Sequence, residues 1–544
     1  MSTSTGLAPG VCLIGCGDEV AGAGDVGDGE LPSPQALGFK AWNLLRMARL
    51  SLPVPPAFVL GTRFCTDPAM RARASTREVW GTALQHLERA TGLALGDPRR
   101  PLLLSVRSGA PVSMPGMMET LLNVGLCDAT IVGLVRQTGN PRLAWDAYRR
   151  LIATYGEVVA HLPAKSFEEA AVALFGTHDE RELDFAELRA LTQRYLQVYA
   201  QGAGSPFPQD PAQQLAAAIE AVFASWHAPK ACEYRRLNEI AGAVGTAVTV
   251  QRMVFGNAGG QSGAGVGFTR DPATGEAALW VDFLFNAQGE DVVSGRRSAH
   301  GHDELATVLP EAWRQLIEAA ATLEREFGDM QDFEFTVQDG RLFLLQTRSG
   351  KRTPQAAARI ALDLLDAGLI APDTARTRTA SLDRKALARQ RIVARDDEPL
   401  VPLGSAATAS SGVAVGEIAL DEARVRSRRA AGVDVLLVRR DAETGDIAAL
   451  EAACGLLTQR GARTSHAAVV ARQLSKVCLV GCAELQIDEG KRHIELGGRV
   501  FEEGAVLTLD GNDGRIYAGA AQLQWEYPES LLVRLEALRA GFNQ

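Results

Sequence analysis

The sequence predicts a multidomain chain of mixed α+β and α/β character. Three patterns predict it. Short apolar runs alternate with helical patterns in the first third and return after residue 245, while residues from about 128 to 240 repeat apolar positions at helical spacing. From residue 396 a second group of short apolar runs is cut by glycine-rich turns. A length of 544 residues fits several domains.

Taken in order, VPPAFVLG at 54–61 and LLLSVRSG at 102–109 read as strands running into turns. LVRQTGNPRLAWDAYRRLIATYGEVVAHL and DPAQQLAAAIEAVFASWHA carry the helical spacing, with GAGSPFPQDP at 202–211 as a loop among them. TAVTVQRMVFG, AGVGFTR, ALWVDFLFNA and DFEFTVQDGRLFLLQTR are strand-like. In the last of these, Asp339-Gly340 is a hairpin signal, since the tight turn needs positive φ. Residues 353–395 look helical and, ending in the charged run RDDEP, are expected to be a linker. The unit at 396–525 holds SGVAVGEIAL, VDVLLVRRD, ACGLLTQRG, KVCLVGC and GAVLTLDGNDGRIYAG around one helix, SHAAVVARQL, and an amphipathic helical tail follows at 526–544.

Composition excludes several functions. A net charge of −9, from 65 acidic and 56 basic residues, argues against nonspecific binding to nucleic acid or an anionic membrane. The N-terminus has no secretory pattern, and no apolar run is long enough to span a bilayer. The eight cysteines (Cys12, Cys16, Cys65, Cys127, Cys232, Cys454, Cys478 and Cys482) form no C-x-x-C pair and read as reduced, mostly buried thiols of a cytoplasmic protein.

Four groups of residues suggest chemistry. His466 follows the helix-capping Thr464 and Ser465, so it falls in a first helical turn, where backbone N–H groups stabilise a phosphoryl group and disfavour a protonated imidazole. The bland alternative is a packed histidine. The segment FGNAGGQSGAGVGFTRDPATGE at 255–276 offers Gly263, Gly265, Thr269 and Arg270 as phosphate-loop candidates, although flexible hairpins look similar. Glu290, Asp332, Glu334, Gln346 and Arg348 form the third group. Asp332 and Glu334 alternate on one strand, and Gln346 and Arg348 on the next, so all four are expected on one polar face opposite Phe333, Phe335, Phe343 and Leu345. Carboxylates suit Mg²⁺ and Arg suits phosphate, the alternative being a solvated face of ion pairs. The fourth group is Lys40, Arg107 and SMPGMMETLLNVG at 113–125, whose methionines suggest a mobile loop. Either of the two cations would otherwise be a surface charge.

These groups, in this order, resemble pyruvate phosphate dikinases. The matching stretches are SVRSGAPVSMPGMMETLLNVGL, QRMVFGNAGGQSGAGVGFTRDPATGE, NAQGEDVVSG, DFEFTVQDGRLFLLQTRSGKR and TSHAAVVAR. The resemblance implies an ATP-grasp nucleotide-binding domain over 1–352 with a helical insertion, joined to a swivelling phosphohistidine domain. It implies that ATP and inorganic phosphate phosphorylate a histidine, matched by His466, with release of AMP and pyrophosphate. Lys40, Arg107, Glu290, Asp332, Glu334, Gln346 and Arg348 match nucleotide-binding positions; Asp332, Glu334 and Gln346 are the implied Mg²⁺ ligands. Thr464 matches a threonine that regulatory kinases modify in some plant members and is read here as a helix cap.

The departures from the family pattern are specific. The family continues into a (β/α)8 barrel for pyruvate and phosphoenolpyruvate, and this sequence ends at Gln544, about where that barrel would begin. The acceptor is therefore expected on a separate partner, either a barrel protein or one acting on an alcohol, phenol or sugar. A noncatalytic nucleotide-binding module is the remaining alternative. Gly461-Ala462-Arg463 replaces the family's Gly-Gly-Met before the histidine, the loop at Glu443-Thr444-Gly445-Asp446 is shortened, and GSAATASSGVAVG lacks the usual Pro-Gly. Arg463 is expected to pair with a phosphoryl group or to dock a partner.

Overall fold

The computed structural model describes residues 6–17, 32–112, 114, 117–176, 183–237, 240, 245–293, 302–393, 401–441, 446–461, 463 and 466–540. It is a multidomain α/β structure with mixed sheets. The chain forms two compact units, Met1–Gly259 with Phe343–Thr347, and Gly260–Leu342 with Arg348–Gln544.

The first unit is built on an antiparallel sheet of β1 (Val11–Ile14), β2 (Ala57–Leu60), β3 (Leu104–Gly109), β4 (Thr120–Val124) and β5 (Ala247–Arg252), ordered β1-β2-β5-β3-β4. The helix Pro34–Arg49 starts with Ser33 accepting from the Ala36 N–H at 3.2 Å, and Pro34 suits its first turn. It kinks at Gly38, where φ is 73° and a Cβ would lie 1.8 Å from the Gly109 carbonyl oxygen, so only glycine fits. Among the described residues the helical stretch appears as six helices between Ile131 and Leu237, among them Pro141–Val158 and Phe185–Ala203. Their buried faces carry Tyr148, Tyr155 and Tyr199, each packed edge to face on Phe207 of the loop between two of the helices. The methionine run differs from the mobile loop expected of it. Met114 is buried, Met117 and Met118 pack against the core, and residues 120–124 are strand β4. Ser113, Pro115 and Gly116 lie outside the described residues.

The second unit contains β6 (Gly263–Phe268), β7 (Trp280–Phe285), β8 (Gln331–Gln338) and the ends of β9 (Arg341–Ser349), whose middle residues Phe343–Thr347 belong to the first unit; the sheet order is β7-β6-β8-β9. Asp339 and Gly340 turn the chain between β8 and β9 with φ of 50° and 76°, as their pairing predicts. Within 353–395 the helices Pro354–Asp366 and Pro372–Thr379 match the helical expectation, but Arg389–Val393 is a strand paired with Gln522–Glu526. The tail helix Glu529–Ala540 buries Leu531, Leu532 and Leu535 against Ala358, Leu362, Leu382 and Leu387.

After residue 401 the strands Val413–Ala419, Val435–Arg439, Gly455–Thr458 and Val477–Val480 run parallel, each paired with the next. Ala407–Ser410 and Val506–Asp510 flank them antiparallel. Near-continuous apolar runs such as VLLVR and VCLV suit parallel strands covered on both faces. The helix His466–Gln473 crosses between the last two parallel strands. All eight cysteines are free and only Cys232 is exposed. Among the described residues no helix is long and apolar enough to cross a membrane.

Candidate functional site

Strands β7, β6 and β8 place their side chains in rows. Cα partners align Trp280 with Phe268 and Asp332, and Asp282 with Val266 and Glu334. One face of the sheet therefore carries Trp280, Asp282, Asp332 and Glu334. The opposite face carries Gly263, Gly265 and Gly267 beneath the rings of Phe283, Phe335 and Phe333. A Cβ on Gly263 would lie 2.1 Å from Phe283 Cζ, and one on Gly265 would lie 2.5 Å from Phe335 Cζ.

That arrangement corrects the phosphate-loop expectation. Gly263 and Gly265 lie in a buried, hydrogen-bonded strand, and their missing side chains make room for aromatic rings. The Thr269 hydroxyl donates to Glu324 Oε2 at 2.9 Å. Arg270, 6% exposed, donates to both Glu324 oxygens and, at 3.1 Å, to Asp363 Oδ2. Its charge is consumed inside the fold. The open part of the glycine-rich segment is Gly259 and Gly260, where an added Cβ would meet nothing within 4 Å.

On the polar face, Arg348 Nε donates to Asp332 Oδ2 at 2.8 Å. Asp332 is almost wholly buried, and burial pushes its carboxyl above the usual aspartate range against the opposing pull of Arg348. Glu334 stands two residues further along the same face, half-buried. Glu290 falls in the helix Gly289–Val293, but its side chain lies outside the described residues.

The first unit holds the remaining candidates. Lys40 is exposed, and its Cβ lies 3.8 Å from where a Cβ on Gly109 would sit, two residues beyond Arg107 on β3. The structure thus brings Lys40 to the end of the Arg107 strand. Arg107 Nε is buried without a hydrogen-bond partner, and so is the hydroxyl of Thr249, its cross-strand neighbour on β5. Buried polar atoms left this way point to an absent ligand or water. Gln346 is half-buried beside Thr347, whose carbonyl accepts from Asn43 Nδ2 at 2.8 Å on the Lys40 helix.

His466 opens the helix His466–Gln473; its side chain, and Ala462, Thr464 and Ser465 entirely, lie outside the described residues. Its neighbours in sequence are described. Arg463 donates to Asp282 Oδ1 from Nη2 at 2.9 Å and from Nε at 3.2 Å, and its Cζ stands 4.0 Å from the centre of the Trp280 ring. Arg472, in the last turn of the helix, donates to the Ala409 carbonyl at 2.7 and 3.0 Å and lies 5.5 Å from the centre of the Phe268 ring. Arginines on both sides of His466 therefore touch β7 and β6, on the sheet face that also carries Asp332 and Glu334 of β8.

Comparison with known proteins places the chain in a family. The family model "Pyruvate phosphate dikinase, AMP/ATP-binding domain" matches residues 79–303 and 300–367, and "PEP-utilising enzyme, mobile domain" matches 432–514. The chain is 42% identical over 504 residues to the pyruvate, phosphate dikinase of Clostridium symbiosum, covering 91% of this chain and 58% of that protein. The chain belongs to the pyruvate phosphate dikinase family. Pyruvate, phosphate dikinase 2 of Zea mays is likewise 42% identical over 514 residues, covering 91% of this chain and 57% of its own length. The chain spans little more than half the length of these dikinases.

Within this dikinase-family chain, Asp282, Trp280 and Arg472 were passed over by the sequence reading. A single aspartate inside WVDFLF was the available signal, since a charge in an otherwise apolar strand must find a partner.

Proposed function

We propose that this chain is a pyruvate phosphate dikinase-like phosphotransferase. It uses ATP and inorganic phosphate to phosphorylate His466, with release of AMP and pyrophosphate, and passes the phosphoryl group to pyruvate or another acceptor on a separate partner. The balance is closed: the phosphates of ATP and the added phosphate leave as AMP, pyrophosphate and one phosphohistidine. The observation that carries this reading is the contact of Arg463 and Arg472, which bracket His466, with β7 and β6, on the same sheet face that bears Asp332 and Glu334 on the neighbouring β8.

The nucleotide-binding fold is read as ATP-grasp over residues 1–352, with 396–525 as the swivelling phosphohistidine domain, 353–395 as the link and 526–544 as a helical tail. Lys40, Arg107 and Arg348 neutralise the triphosphate, and Glu290 joins the nucleotide ligands. The orphaned Arg107 Nε supports that role.

The donor set fits Mg²⁺, which takes few protein oxygens and completes its shell with water and phosphate. Two carboxylates on one strand face supply such oxygens, with Gln346 as the amide ligand. The buried Asp332 carboxylate is a group whose charge a cation would stabilise. Bound Mg²⁺ supplies charge neutralisation on the transferring phosphoryl group. The free cysteines support a cytoplasmic setting.

Incubation with ATP labelled in its β-phosphate, with and without inorganic phosphate, tests the reading. Acid-labile label on the chain that disappears in His466→Ala is expected. Equal labelling of the two proteins, or none in either, would remove it.

A further inference from the structure

Arg463, three residues before His466, is held on strand β7 through its side chain. Arg463 gives Asp282 Oδ1 two hydrogen bonds, at 2.9 and 3.2 Å, and stacks at 4.0 Å on the Trp280 ring. Together these contacts fix both the place and the plane of the guanidinium. The acceptor needs this partner. Asp282 has a side chain 3% exposed, and its Oδ2 has no hydrogen-bond partner. A carboxylate buried so deeply is costly unless a cation is paired with it.

The two partners differ in their freedom. Asp282 is fixed in the sheet, whereas the Arg463 side chain is 25% exposed and borders a cleft of about 310 Å³ lined also by Asp271, Thr274, Arg389 and Asn512. The guanidinium can withdraw toward water without unpacking a core. Arg472, by contrast, anchors to Ala409 and to the Arg463 carbonyl and so stays with its own helix.

We propose that Arg463 and Asp282 form a docking latch. This positioning pair holds the approach to His466 on β7 while the histidine takes its phosphoryl group, and opens when the segment leaves for the acceptor. The proposal rests on the phosphohistidine reading above. Arg463 travels with the histidine, and Asp282 stays with the sheet.

Single-turnover labelling of the full chain at saturating ATP is the test, with ATP affinity measured by calorimetry. Arg463→Met and Asp282→Asn are each expected to slow labelling by about tenfold or more, because a small displacement of the reacting group is costly. ATP affinity is expected to stay unchanged. Arg463→Lys keeps the charge but not the fork and recovers part of the rate, as does the exchanged pair R463D with D282R. Unchanged labelling in both single variants overturns the latch. An unlabelled wild-type chain overturns the phosphohistidine reading instead, and hydrogen exchange then decides the latch. Faster exchange over 280–285 and 466–473 in Arg463→Met supports it, and identical exchange overturns it.

Discussion

Two aspartates three residues apart meet opposite treatment in this fold. Asp329 receives both arms of Arg352, at 2.5 and 2.7 Å, and the Ser349 hydroxyl at 2.6 Å. Burial pushes its carboxyl up, but these partners more than offset that and hold it below the usual range. Asp332 is buried more deeply and has Arg348 Nε at 2.8 Å, and its carboxyl sits above the usual range. The same contrast extends outward. Like Asp329, Arg270 is saturated, by Glu324 and Asp363. Around Asp332, Asp282 Oδ2 and Arg472 Nη1 lack hydrogen-bond partners despite their burial. Charges matched inside the protein hold the fold together, while Asp282 and Arg472, each buried with one polar atom lacking a hydrogen-bond partner, are placed to answer a ligand or a moving segment.

The sharpest way to break this division is to damage the matched side. Arg270→Met leaves the largely buried Glu324 without its cation and is expected to cost on the order of 3–5 kcal/mol in urea unfolding. A loss below about 1 kcal/mol would place Arg270 with the unmatched charges, among the ligand-binding groups. Next in size is Gly265→Ala. The new methyl would lie 2.5 Å from the Phe335 ring and 2.9 Å from the Asp282 carbonyl oxygen, so about 1–3 kcal/mol of stability should be lost. If instead stability held and ATP affinity fell, the glycine would be a phosphate contact after all.

The contrast also explains what could be read from the sequence. The Asp332–Glu334 face was legible because period-two alternation with Phe333 and Phe335 is a local signal. The Asp339-Gly340 turn was legible for the same reason. Gly263 and Gly265 were misread because a phosphate loop and a strand packed under aromatic rings share one composition. The deciding rings, Phe283 and Phe335, sit on neighbouring strands. The strand Arg389–Val393 was not legible because its partner strand lies more than a hundred residues on, at Gln522–Glu526. The Arg463–Asp282 pair spans 181 positions, so no local pattern could join them. Arg463 stood out only as a departure from a family motif.

The smallest expected effect is a difference in pH dependence between the two aspartates, measured without divalent metal so that only protons compete for them. Asp329 has a depressed pKa in the folded state. Its contribution to stability is complete above the ordinary aspartate value of 3.8 and is lost as pH falls through the lower folded value. The advantage of wild type over Asp329→Asn should therefore shrink on acidification. Asp332 has a raised folded pKa, so folding binds more protons than the unfolded chain between 3.8 and that higher value, and stability falls as pH rises through the window. Asp332→Asn should gain on wild type over the same rise. Urea midpoints for the three proteins across acidic and neutral pH measure both slopes. Slopes of the same sign would mean that Arg348 satisfies Asp332 as fully as Arg352 satisfies Asp329, and the polar face of β8 would then be an ordinary ion pair with no cost for a cation to relieve.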